Sequence, residues 1–169
     1  TLVTVEKFSE AMDKFIAGEC DIVTTDGSAL VGRRAVNDAL NDWSIFPTSP
    51  ISKEPLGPVY RSNDSKWGDV INWVVYATII ADEYGVTSAN VDSVDTDALP
   101  ELGRLFGAND GELQSVMGLD KKAFYNVIKQ IGNYDEIYSR NLNPVGLFRE
   151  GGANDRWTNG GLIYAPPAR

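Results

Sequence analysis

Four prolines fall between residues 47 and 58, at Pro47, Pro50, Pro55 and Pro58, and they close that stretch to any helix. Each lacks the amide hydrogen that a helix interior needs and pushes the residue before it toward extended backbone. Phe46-Pro47-Thr48-Ser49-Pro50, followed by Ile51-Ser52-Lys53-Glu54-Pro55-Leu56-Gly57-Pro58, is therefore expected to be an extended connector crossing between two structural units. With 169 residues, 43% of them hydrophobic, the chain has material for one ordinary domain and a small second one.

Ahead of the connector, Val5, Phe8, Met12, Phe15 and Ile16 recur at helical spacing, with Thr4 as a cap, Glu6 in the first turn and Gly18 as a stop. A helix over 5–17 is expected. The β-favouring run Asp21-Ile22-Val23-Thr24-Thr25 comes next and ends at Asp26-Gly27, after which Ser28 to Val36 reads as helix again. Helix, strand, helix is a piece of an α/β layer, and the carboxyl end of such a strand is where open α/β sheets bind ligands.

Beyond the connector, Val59-Tyr60-Arg61 is expected as a short strand, and Ser62-Asn63-Asp64-Ser65 as a turn and helix cap. From Lys66 to Tyr84 apolar side chains cover most of the circumference (Trp67, Val70, Ile71, Trp73, Val74, Tyr76, Ile80 and Tyr84), which predicts a largely buried helix. Short helices punctuated by glycine are expected after Thr87 and around Pro100–Phe106, Glu112–Met117, Lys121–Ile131 and Tyr134–Leu142. Trp157-Thr158-Asn159-Gly160-Gly161-Leu162-Ile163-Tyr164 reads as a turn followed by a short extended run.

A net charge of -9 repels phosphate backbones and anionic lipid surfaces, so nucleic acid is set aside and the acidity is read as a solvated surface. The longest nearly apolar stretch, Trp73 to Ala81, falls far short of the roughly 20 residues a membrane span needs, so no membrane insertion is expected. There is no histidine and one cysteine, Cys20. Zinc sites and imidazole-activated nucleophiles cannot be assembled from that inventory, and no metal or cofactor is expected. Asp92, Asp95 and Asp97 lack the spacing and the glycine of a calcium loop and are read as a solvated loop. The chain opens on Thr1 without a charged-then-apolar leader, so a signal peptide is expected to have been removed or to lie outside these residues.

Asp26 is the ionisable residue whose position suggests a task. Its carboxylate can accept charge-assisted hydrogen bonds from a ligand ammonium, or it can simply cap the helix that follows; spacing alone leaves these two readings level. Thr25, β-branched at a strand end, needs no functional explanation by itself. Trp43, Trp67, Trp73 and Trp157 can line a pocket, but aromatic residues mostly serve cores, and core is the reading for Trp67 and Trp73. Arg33 and Arg34 can pair with a ligand carboxylate, although neighbours on a helix face different directions and are read as solvated.

Four stretches in order carry a family resemblance: Gly18-Glu19-Cys20-Asp21-Ile22-Val23-Thr24-Thr25-Asp26, then Ile51-Ser52-Lys53-Glu54-Pro55-Leu56-Gly57-Pro58, then Lys129-Gln130-Ile131-Gly132-Asn133-Tyr134, and Gly160-Gly161-Leu162-Ile163-Tyr164-Ala165-Pro166-Pro167. Nearly end to end, the chain resembles the general L-amino-acid-binding proteins of bacterial ABC importers, a branch of the type II periplasmic solute-binding proteins. The resemblance implies an α/β fold of two lobes joined by crossing strands, with the amino acid in the cleft between them, here in an incomplete form with a helix-rich carboxyl-terminal part. It implies that 1–47 is the last part of the second lobe, 48–58 the returning hinge crossing and 59–169 the carboxyl-terminal part of the first lobe. The ligand-gripping arginine of the first lobe and a donor-bearing helix start of the second would lie outside these residues.

By the same resemblance, Asp26 matches the aspartate that holds the ligand's α-ammonium, with Thr25 beside it in the site. Cys20 matches a cysteine that bridges to one in the other half, which suits an oxidising periplasm. Gly27, where relatives often carry a larger polar residue, and the looser match over Arg149-Glu150-Gly151-Gly152-Ala153-Asn154 bear on ligand preference. The expected function is capture of free L-amino acids and delivery to ABC permease subunits in the membrane, without catalysis. Two alternatives are a dehydratase-like enzyme on the same scaffold with Asp26 as acid or base, and a fragment that serves only interaction. The absence of histidine and of a second carboxylate near Asp26 opposes the enzyme. Exposed apolar surface, and with it self-association or pairing with the other half, is expected of an incomplete two-lobe unit.

Overall fold

The computed structural model describes residues 1–38, 42–47, 49–53 and 55–169. The chain divides into two compact units, Thr1–Leu56 and Gly57–Arg169. The expected connector includes positions 48 and 54, which lie outside the described residues.

Among its described residues the first unit holds two helices, α1 (Phe8–Ile16) and α2 (Gly27–Asn37). The residue at the start of α1 is Lys7, without a side-chain cap, so the expected cap at Thr4 is not formed and the helix begins later than its apolar spacing suggests. Gly18, at φ 74°, turns the chain out of α1: its N–H donates to the Phe15 carbonyl at 3.1 Å and that of Glu19 to Lys14 at 2.9 Å. Among the described residues here Met12 and Val31 are the buried apolar ones, and Phe15 meets Trp43 edge to face at 5.0 Å. Around Asp38 the chain is tied down by the N–H groups of Asp42 and Trp43, both donating to its carboxylate.

The second unit is built on α3 (Ser65–Glu83), followed by α4 (Pro100–Leu105), α5 (Leu113–Val116), α6 (Ala123–Ile131) and α7 (Tyr134–Leu142). Short 3-10 turns lie at Val91–Ser93, Asn143–Val145 and Trp157–Asn159. Asp64 caps α3 by accepting the Trp67 N–H, and proline sits at the first turn of α4, where its missing N–H costs nothing. Ala77, Ile80 and Ala81 of α3 form one core with Leu102 and Leu105 of α4, Phe124 and Ile128 of α6, and Val86, Val91, Phe106 and Ala168 from the connections. At Gly107, φ 69°, a β-carbon would stand 2.1 Å from the Lys121 carbonyl oxygen, so glycine alone fits where the chain passes toward α6.

Two expectations need correcting. Helix α3 is continuously buried over 77–82, in its second half; ahead of that Gly68 is buried, whereas Trp67 is 54% exposed. Trp73, half-buried, does pack against the core, and it meets Tyr76 edge to face at 5.6 Å. The second correction concerns strands. Neither Asp21–Thr25 nor Val59–Arg61 forms one, and among the described residues the bridge between Arg156 and Ile163 is the single β pairing. A strand needs a neighbour to accept its ladder bonds, and none of the described segments runs beside 21–25. Ile22 there is 68% exposed and Val59 is 93% exposed.

Candidate functional site

Asp26 stands at the position preceding α2, with φ -54° and ψ 138°. Its carbonyl accepts the Leu30 N–H at 3.0 Å, which starts the helix, but its side chain makes no capping bond and is exposed. Of the two roles open to this carboxylate, the cap is therefore not taken. The group instead projects at the positive end of the α2 dipole, beside the half-buried Thr25. Among the described residues no ion pair involves Asp26.

Other expected residues fall as follows. Arg33 is exposed and lies over the Phe8 ring at 5.7 Å, a surface cation–π contact, and Arg34 is half-buried. Cys20 is a free, half-buried thiol. Asp92 pairs with Lys129 at 2.6 Å and accepts the Tyr125 hydroxyl, while Asp95 accepts the N–H groups of Asp97 and Ala98; this acidic loop is a set of turn and ion-pair contacts. No group of three or more metal-ligating side chains occurs among the described residues.

Two of the surface hollows lie within the second unit. One, of about 410 Å³, is lined by Tyr60, Arg61, Asp64 and Trp67; a β-carbon at Gly68 would stand 2.4 Å from the Tyr60 ring, so that glycine lets the tyrosine lie on α3. The other, of about 580 Å³, lies between Glu83, Tyr84 and Glu101 on one side and Trp157, Tyr164 and Pro167 on the other.

A buried ionic group went unread in the sequence. Arg149 and Asp82 pair at 2.6 Å with both side chains about 5% exposed or less. Arg149 also donates to the Asn154 carbonyl and to Asp135, and it lies 4.8 Å from the centre of the Tyr134 ring. Arg156 donates to the Asp82 carbonyl. Burial pushes the Asp82 carboxyl above its ordinary range, against the opposing pull of the Arg149 guanidinium. The available signal was an aspartate directly after Ile79-Ile80-Ala81, a charge placed where an apolar run leads into the core.

No family model matches the chain. It is 43% identical, over its whole length, to the glutamate/glutamine/aspartate/asparagine-binding protein BztA of Rhodobacter capsulatus, covering 50% of that protein. It is 40% identical over 99% of its length to the general L-amino acid-binding periplasmic protein AapJ of Rhizobium johnstonii, covering 49% of it. Over essentially its whole length this chain is similar to one half of amino-acid-binding proteins of ABC transporters. It spans about half the length of the curated relatives it matches. Among solved structures, a periplasmic binding protein of an ABC transporter from Brucella ovis, with glutathione bound, matches 99% of the chain at TM-score 0.87 and 40% identity, with 52% of that protein covered. The fold thus matches about half of a periplasmic binding protein, and the relatives are solute-binding proteins of ABC transporters. No helix among the described residues is long and apolar enough to cross a membrane.

Proposed function

We propose that this chain is part of a periplasmic receptor that captures free L-amino acids in a cleft between two lobes and hands them to the permease subunits of an ABC importer. The observation that carries the reading is the exposed carboxylate of Asp26, uncommitted to its own helix, in a chain whose relatives are named for amino-acid binding. In this reading Asp26 neutralises the ligand α-ammonium and Thr25 lines the same lip, while the groups that hold the α-carboxylate come from outside these residues. Residues 1–47 then belong to the second lobe, 48–58 to the hinge crossing and 59–169 to the first lobe. Closure of the lobes on the ligand is the change a permease reads, a shift of population toward the closed form. Cys20 bridges to a cysteine outside these residues once the protein reaches an oxidising compartment.

The test is a calorimetric titration of the full-length protein with the twenty amino acids. Losing a charge-assisted hydrogen bond removes about 1.5–3 kcal/mol, so Asp26→Asn is expected to weaken binding about 10- to 100-fold. Unchanged affinity in that variant sinks the assignment.

A second ligand class has a specific observation behind it, the glutathione bound to the Brucella ovis protein. The γ-glutamyl end of glutathione carries an α-ammonium and an α-carboxylate on one carbon, so a carboxylate placed as Asp26 is suits it equally. Adding glutathione to the titration separates the two: heat with glutathione, abolished by Asp26→Asn and absent with the amino acids, favours the peptide.

A further inference from the structure

The larger hollow of the second unit carries two carboxylates and no cation. Glu83 accepts the Trp157 indole N–H at 3.0 Å. Glu101 accepts the Tyr84 hydroxyl at 2.8 Å and the Ala168 N–H at 2.7 Å. All three donors are neutral, and neither glutamate forms an ion pair among the described residues. Two arginines on flanking elements are committed elsewhere: Arg104 donates twice to the Ala168 carbonyl at 3.2 Å, and Arg156 to the Asp82 carbonyl. Burial raises the Glu83 carboxyl above its ordinary range, and the negative charges of Glu101 and Asp82 add to the shift. Around these carboxylates stand three aromatic side chains left partly in water, Tyr84 at 43%, Trp157 at 58% and Tyr164 at 68% exposed.

We propose that this hollow is a docking point for an arginine side chain presented by a protein partner. A guanidinium is flat, so it can stack on the exposed rings while its N–H fork reaches the carboxylates, a combination that a compact ammonium matches less well. A free metabolite is the weaker occupant, because a free amino acid brings a carboxylate of its own toward two others. Trp157 reports occupancy directly, since its indole N–H is already bound to Glu83 and a guanidinium must share or displace that bond.

The experiment follows the Trp157 indole N–H by NMR in the nitrogen-15-labelled chain, assigned with Trp157→Phe. Three probes are added at tens of millimolar: N-acetyl-arginine amide, N-acetyl-citrulline amide as the neutral isostere, and free L-arginine. The capped arginine is expected to move the Trp157 resonance saturably, the citrulline probe to leave it in place, and free L-arginine to act more weakly. Glu83→Gln and Glu101→Gln are each expected to weaken the response about three- to tenfold, the range of a surface ion pair with a stacked ring. Glu101 also holds the Ala168 N–H, so Tyr164→Ala serves as a variant that removes an exposed ring and leaves those bonds alone; it too is expected to reduce the response. Equal shifts from the citrulline probe, tighter binding of free L-arginine, no shift at all, or a response indifferent to both glutamates overturns the proposal. The readout is separate from amino-acid capture at Asp26.

Discussion

At the scale of single residues, the deepest commitment in the second unit is the pairing of Asp82 with Arg149. Two charges held this far from water are sustained by each other, by the Asn154 carbonyl and by Asp135. Removing one partner strands the other, and Arg149→Leu is expected to cost about 3–5 kcal/mol in urea unfolding. Adding Asp82→Leu to it is expected to recover much of that loss, because a matched apolar pair leaves no stranded charge. A double variant as unstable as Arg149→Leu alone shows that the carbonyl and ring contacts of Arg149 matter more than its charge partner. Asp26 is the opposite kind of residue: exposed, uncommitted to a cap and legible from the sequence by its place at a helix start.

At the scale of elements, the joint between α6 and α7 concentrates several bonds on two side chains. The Asn133 side chain accepts the Glu136 N–H and donates to the Val86 carbonyl, while the Glu136 carboxylate accepts the Asn133 N–H and both the N–H and hydroxyl of Ser88. Asn133→Ala is expected to lower stability by about 2 kcal/mol, a lost cap plus an unpaired buried carbonyl, measured by thermal or urea unfolding. Burial acts to raise the Glu136 carboxyl, but the Ser88 and Asn133 donors, helped by Arg140, prevail and hold it below its ordinary range. A carboxyl depressed on folding contributes stability at neutral pH, and the contribution fades as pH falls from the ordinary glutamate value through the depressed one. Unfolding midpoints of Glu136→Gln and the parent are therefore expected to converge in that acid range; midpoints that stay parallel there exclude the linkage. Helices α2, α3, α6 and α7 lie close to where spacing and caps place them, because a helix keeps its hydrogen bonds within itself. Strands at 21–25 and 59–61 were equally plausible in sequence and are not formed, because their bonds belong to a neighbour. The hollow was illegible for a related reason: its contacts join residues 17 and 74 positions apart.

At the scale of the whole molecule, the two compact units are unequally supplied with core. Among the described residues of 1–56, Met12 and Val31 are the buried apolar side chains, whereas the second unit assembles a cluster that includes Phe124, Ile80, Leu102, Leu105 and Ile128, all essentially inaccessible to water. Backbone amides of α1 and α2 are expected to exchange with deuterium at least about tenfold faster than those of α3 and α6, which hydrogen-exchange mass spectrometry resolves by peptide. Exposed Ile22, Val36, Leu56, Val59 and Trp157 make concentration-dependent association the expectation in sedimentation velocity, and a sharp monomer peak at all concentrations counts against it. The unpaired stretch around Ile22-Val23-Thr24 gives that association a direction. A ribbon of free amides and carbonyls bearing β-branched side chains recruits the same ribbon of another molecule, so when this chain is made alone its insoluble product should bind thioflavin and diffract with a 4.7–4.8 Å repeat, and a lysine in place of Ile22 should keep it in solution.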